Sequence, residues 1–296
     1  MTDHIVRALC LSGGIRILAC SATALAQEIT TLQHASATAS IAIARGIAAG
    51  ALMGALLKQN QRVALKFEGS GPLRKLIVEA DSNGTVRACA AVPEAELEPR
   101  NGTWDVAGLI GRAGFLTVSK DLGLGGEPYR GVVQLVSSEI GEDLAYYLTD
   151  SEQTPSAVGV AAALDLKGHI SVCGGFLVQA LPKADQAEID SVMERIAALK
   201  PLSTLLQESG PEGVIAELFG EIAYTTLESH DLIFRCGCSR DKVEQVLLTL
   251  GEHTLREMQL NENGAEVSCE FCRKQYRFEP HELDPVIESL APNTAH

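Results

Sequence analysis

At 296 residues with a 46% hydrophobic fraction, the chain is long enough for more than one domain and too apolar for global disorder. Its net charge of −14 argues against a nucleic-acid partner, whose phosphates need lysine and arginine, and no basic run of the nuclear-targeting or heparin type occurs. With aromatic residues at 4%, the core must be built mainly from Ala, Val, Leu and Ile.

The start imitates a secretory signal, with an apolar run from Ala8 to Leu11 and a later Ala24-Leu25-Ala26-Gln27. Asp3 stands where a basic region is needed, and Gly13, Gly14 and Arg16 break the apolar run. Two strands around a Ser12-Gly13-Gly14 turn are predicted instead. From Ile41 to Leu57, Gly46, Gly50 and Gly54 recur at four-residue spacing. The segment is short for a membrane span and contains Arg45, so it predicts a soluble helix packed closely through its glycine face.

Strands are predicted over Arg62 to Phe67, Lys75 to Ala80 and Thr85 to Ala91, the last two joined by Asp81-Ser82-Asn83-Gly84. Asn-Gly supplies the positive φ angles of a tight hairpin. Phe115 to Lys120 and Tyr129 to Val136 form a second pair across a glycine-rich turn, Gly123 to Gly126. Val158 to Leu164 and Ile170 to Leu177 form a third around Lys167-Gly168. Between these pairs, Gly141 to Thr149 reads as a helix with Leu144, Tyr147 and Leu148 on one face. Hairpins with interspersed helices and no repeating βαβ rhythm predict an α+β core domain over residues 1–180.

Residues 181–230 read as a helical linker, punctuated by Pro201, Gly210-Pro211 and Gly220. Ile189, Val192, Met193, Ile196 and Leu199 make one apolar stripe; Leu202, Leu205 and Leu206 make another. Nine acidic and three basic residues between 183 and 230 give a local net of −6. The stripes must dock, and the N-terminal body is the expected surface.

Residues 231–296 form a small C-terminal segment carrying Cys236-Gly237-Cys238 and Cys269-Glu270-Phe271-Cys272. Two short clips of soft ligands from distant parts of a chain match a structural zinc site. The first clip, C-x-C, is tighter than the C-x-x-C of most zinc ribbons, and its one-residue spacer predicts a strained chelate ready to release metal when a thiolate is oxidised. Ser239 predicts an N-cap for a helix from Arg240 to Leu250. A turn over Asn261-Glu262-Asn263-Gly264 leads into Ala265 to Phe271, and Tyr276 to Phe278 returns. So short a segment buries little by itself, which makes zinc its main organiser.

Catalytic signals are poor. The seven histidines, at 4, 34, 169, 230, 253, 281 and 296, form no H-E-x-x-H or paired cluster, and His230 and His253 read as surface groups. Gly123-Leu124-Gly125-Gly126-Glu127 lacks the ending of a phosphate loop. Glu142 and Asp143 point about 100° apart on a helix and read as solvated. Cys10, Cys20, Cys89 and Cys173 lie in apolar sequence and read as small core residues. Scattered thiols beside a metal clip fit a reducing compartment, the cytoplasm. The rival readings are a static zinc staple in an interaction module, a disulfide domain, and a thiol–disulfide oxidoreductase using Cys269 and Cys272.

Several runs carry a resemblance: Gly126-Glu127-Pro128-Tyr129-Arg130-Gly131, Gly141-Glu142-Asp143-Leu144-Ala145-Tyr146-Tyr147 and Ser151-Glu152-Gln153-Thr154-Pro155-Ser156. So do Gly174-Gly175-Phe176-Leu177-Val178-Gln179 with Leu181-Pro182, and the ending from Cys236 to Phe278. In this order they resemble the redox-regulated 33 kDa heat-shock chaperonins, a bacterial holdase family. The resemblance implies an ATP-independent chaperone, not an enzyme, that is inactive when reduced and bound to one zinc ion. It assigns zinc to Cys236, Cys238, Cys269 and Cys272. It also implies oxidative pairing of Cys236 with Cys238 and Cys269 with Cys272, zinc release, loss of structure in the terminal domain and linker, capture of unfolded clients, and a homodimer when activated. No nucleic-acid or membrane partner is expected.

Overall fold

The computed structural model describes residues 2–100, 102–261 and 263–290. Met1, Asn101, Glu262 of the expected turn, and 291–296 with His296 lie outside the described residues. The fold is α+β, and the chain divides into two compact units, Met1–Arg235 and Cys236–His296.

The first unit runs β1 (His4–Cys10), β2 (Ile15–Ser21), α1 (Thr23–Leu32), α2 (Ala37–Gly54), β3 (Arg62–Gly69), β4 (Lys75–Asp81), β5 (Thr85–Ala90) and α3 (Val106–Ile110). It continues β6 (Gly114–Asp121), β7 (Tyr129–Gln134), α4 (Gly141–Asp150), β8 (Ser156–Leu164), β9 (Ile170–Ala180), α5 (Gln186–Ala198), α6 (Leu202–Phe219), β10 (Tyr224–Asp231) and β11 (Ile233–Phe234). A five-stranded antiparallel sheet has the order β10-β1-β2-β9-β8, and a six-stranded sheet the order β11-β5-β4-β3-β6-β7. In the second sheet only the β11–β5 pair is parallel.

Helix α2 lies between the sheets, touching β4 on one side and β9 on the other. Its glycines make that approach possible. A Cβ on Gly46 would come within 2.9 Å of Leu76, and one on Gly50 within 2.5 Å of the Val78 methyl. Among the described residues α2 is the one helix long and apolar enough to cross a membrane, and 89% of it is buried inside the fold. Ser36 caps it by accepting from the Ala39 N–H, and Arg45 pairs with Glu139 at 2.5 Å.

The outer face of the five-stranded sheet is covered by α5 and α6. Val192, Leu205, Leu206, Val214 and Leu218 pack onto Val6, Ala8, Ile17, Phe176 and Val178. The stripes expected to dock therefore do so. The helical reading of 183–230 needs correction at its end, because residues 224–231 are the strand β10 along β1. Gly220, at φ 54°, stops the helix, and the run from Tyr224 to Leu227 suits a strand. The first unit reaches Arg235 because Ile233 and Phe234 still ladder with Thr85 and Val86.

In the second unit, α7 (Arg240–Leu248) and α8 (Gly251–Asn261) precede the antiparallel hairpin of β12 (Ala265–Ser268) and β13 (Gln275–Phe278), and α9 (Pro280–Glu288) closes the order. Its core is small: Val243, Leu247, Leu255, Tyr276, Phe278, Leu283 and Ile287 with a few neighbours.

Candidate metal centre

The two cysteine clips sit at the two ends of short, well-fixed segments. Cys236 and Cys238 precede α7, where the Ser239 hydroxyl accepts the Lys242 N–H at 3.3 Å and fixes where the helix begins. Lys242 returns its ammonium to the Gly237 carbonyl at 2.5 Å, inside the clip. Cys269 and Cys272 occupy the turn between β12 and β13. The Cys269 N–H donates to the Lys274 carbonyl, and the Arg273 N–H to the Cys269 carbonyl, both at 2.9 Å. Arg273 takes φ 58°, which tightens the turn.

All four sulfurs lie within 4.8 Å of one another, and each cysteine is half-buried. Across the clips, Cys236 Sγ is 3.6 Å from Cys269 Sγ, and Cys238 Sγ is 3.4 Å from Cys272 Sγ. A tetrahedron with zinc–sulfur bonds of about 2.3 Å has edges of about 3.8 Å, so these two separations lie near the spacing such an ion demands and none of the others exceeds it by more than about 1 Å. They are far outside bonding distance for a disulfide, about 2.0 Å. The donor set and its spacing fit zinc.

Electrostatics within the cluster are uneven. Burial pushes the Cys238 thiol up, but hydrogen bonds from the Tyr276 hydroxyl and the other thiols outweigh it and bring it down to about 7. Burial raises Cys236, and raises Cys272 to about 12. Donation to Cys238 pushes the Tyr276 hydroxyl up to about 12. One sulfur thus ionises near neutrality while its neighbours act as donors. Filling the site with a divalent ion would displace the remaining protons.

Among the described residues no histidine or carboxylate joins this group. His253 is 88% exposed on its side chain and sits 3.6 Å from Glu257. Cys10, Cys20, Cys89 and Cys173 are all buried, as expected of core residues. Burial raises Cys20 to about 12 and Cys173 well above its ordinary value, which leaves both thiols protonated and unreactive. Gly123–Gly126 is an exposed hairpin loop. The solvated reading of Asp143 is wrong. Its side chain is buried at the start of α4, and Oδ1 accepts N–H bonds from Val136, Ser137 and Ser138 at 2.8, 3.0 and 3.3 Å. Adjacent loop amides supply what water would otherwise give; Glu142 is the exposed member of the pair. Sequence reasoning also missed Tyr276 as a sulfur ligand's partner; its only signal was a tyrosine four residues after Cys272.

Residues 3–279 match the Hsp33 protein family, an interval that contains every element of the first unit and all four cysteines. The chain belongs to the Hsp33 family. It is 62% identical to the 33 kDa chaperonin of Pelobacter propionicus over 296 residues, covering 100% of this chain and 97% of that one. The 33 kDa chaperonin of Geobacter sp. (strain M21) is 49% identical over 292 residues, covering 98% and 99%. The crystal structure of the Thermotoga maritima Hsp33 homologue superimposes with a TM-score of 0.90 at 33% identity, covering 98% of this chain and 99% of that one. Hsp33 proteins are chaperones, so unfolded polypeptides are the partner class that membership implies.

Proposed function

We propose that this Hsp33 chain is an ATP-independent holdase that the four-cysteine cluster keeps inactive while reduced and that oxidation switches on. The observation that carries the reading is the convergence of four reduced sulfurs, within 4.8 Å of one another, in a unit with a small core. One zinc ion held by Cys236, Cys238, Cys269 and Cys272 would supply the folding energy that this core lacks.

The activating chemistry uses the chain's own thiolates. One thiolate attacks a peroxide oxygen; a sulfur–oxygen bond forms, the oxygen–oxygen bond breaks, and hydroxide leaves. A second thiolate attacks the resulting sulfenic sulfur, expelling another hydroxide, so two thiolates lose two electrons and the peroxide gains them. The pairs are Cys236 with Cys238 and Cys269 with Cys272. The sulfur contacts of 3.6 and 3.4 Å join opposite clips, so each sulfur exchanges a cross-clip contact for a bond to its clip partner. With the donors consumed, residues 231–296 lose their organiser, residues 181–230 follow, and the apolar faces of α5 and α6 become available to clients. The body of residues 1–180 remains folded. The activated form is a homodimer in the cytoplasm, without enzymatic activity and without nucleic-acid or membrane partners.

Light scattering of a heat-unfolding client tests the switch. The peroxide-treated protein should suppress scattering and the reduced protein should not, while a chromogenic chelator detects one zinc ion released per chain. Equal suppression by both forms with zinc retained would leave a constitutive zinc-stapled module.

A further inference from the structure

Tyr276 lies on β13, opposite Val267 of β12, and its ring is part of the core of the second unit at 6% exposure. Phenylalanine would fill that place equally well, as Phe278 does two residues on. What tyrosine adds is a hydroxyl, and Oη donates to Cys238 Sγ at 3.1 Å. The tyrosine belongs to the hairpin that carries Cys269 and Cys272, yet its hydroxyl reaches the other clip. It therefore joins the two clips by a hydrogen bond, in addition to the metal they would share. The Lys274 ammonium sits 5.2 Å from the ring centroid and holds the ring from its face.

We propose that Tyr276 is a positioning residue that sets the oxidant threshold of the switch by holding and blunting the Cys238 sulfur. The inference rests on the zinc–thiolate reading given above. A sulfur lone pair engaged by an O–H has less electron density to give to a peroxide oxygen, and the same bond keeps Sγ turned toward the other three ligands. Oxidation of Cys238 requires that lone pair to form the sulfur–oxygen bond as the peroxide bond breaks and hydroxide departs. Cys236 then completes the disulfide by displacing hydroxide from the Cys238 sulfur. Donors to metal ligands from outside the ligand set characteristically change metal affinity by roughly 10–100-fold when removed.

The test is Tyr276→Phe in the full-length, zinc-loaded protein. Chelator competition should show zinc held roughly 10–100-fold more weakly. Peroxide should release zinc faster, and mass spectrometry of the earliest products should find a larger share of disulfides containing Cys238 than in wild type. Phe278→Leu controls for simple loosening of the hairpin: it should leave the distribution of first-formed disulfides at the wild-type pattern. If it redistributes them as Tyr276→Phe does, the hydroxyl has no specific role. The wild-type protein loaded with cadmium-113 gives a measurement that needs no variant. The Tyr276 hydroxyl proton should exchange slowly and couple to the metal through Cys238, and a freely exchanging, uncoupled proton overturns the proposal. Wild-type protein that keeps its zinc under peroxide would remove the switch itself, whereas release at identical rates from wild type and Tyr276→Phe would remove only the role of Tyr276.

Discussion

In Met1–Arg235 a mostly apolar helix is walled by two sheets, and a second helical layer covers the far face of one of them. In Cys236–His296 the buried apolar set is a short list gathered around one two-stranded hairpin, and four thiols converge on the turn of that hairpin. The first arrangement removes enough apolar surface from water to stand without help. The second does not, since small modules commonly need a metal or cross-links to fold. On the zinc reading, two units of one chain place their stability in different physical terms, and only one of those terms is chemically removable.

Removing zinc gives the largest expected effect. Apparent binding energies of structural zinc in small modules are about 10–16 kcal/mol, so a strong chelator should erase the helical signal of α7 to α9 and open that unit to protease. A fragment close to residues 1–180 should survive the same digestion. Metal-free protein with intact hydrogen-exchange protection in β12 and β13 would abolish the contrast. Next in size is Leu65→Ala, at a fully buried position of β3. It should cost about 2–5 kcal/mol in denaturant melts of the first unit and leave zinc stoichiometry untouched. Gly50→Ala should destabilise by about 1–3 kcal/mol, because its Cβ would press on Val78; the better helix propensity of alanine returns only about 1 kcal/mol.

The smallest effect concerns pH. His4 links β1 to α6: Nδ1 faces the Thr2 carbonyl and Nε2 the Glu212 carboxylate, both at 2.8 Å. Burial works against the charged ring, but these two acceptors and Asp231 together hold its pKa above the ordinary value. The raised pKa belongs to the folded state, so its stabilisation is complete below about pH 6.5 and fades as pH climbs through the folded value. Wild-type melting midpoints should fall over that interval relative to His4→Gln. Parallel curves for the two proteins would show that the contact contributes nothing.

Much of this was legible in the residues, for reasons that are local. Asn83-Gly84 announced the β4–β5 turn, and Gly84 does adopt φ 81°. Gly168 did the same between β8 and β9 at φ 82°. The cysteine clips announced their own convergence, since two short pairs of soft ligands match a tetrahedral metal site. What stayed hidden depends on distant partners. Strand β10 has strand-forming residues at its start, but its polar, weakly alternating second half takes its place from the edge of β1. Helix α8 buries only Leu255 of its face, and α9 is short and contains Pro285. Asp143 looks like any surface carboxylate until the loop at 136–138 folds its amides over it.

Strands β10 and β11 are consecutive along the chain, yet one ladders with β1 in the five-stranded sheet and the other with β5 in the six-stranded sheet. Tension applied at Arg235 would therefore be borne by two seams in series, the short parallel one at Ile233–Phe234 yielding before the long antiparallel one. Peeling the strip away would bare the flanks of β1 and β5 together, giving the molecule two fresh rows of unsatisfied amides and carbonyls from a single stretch of about a dozen residues.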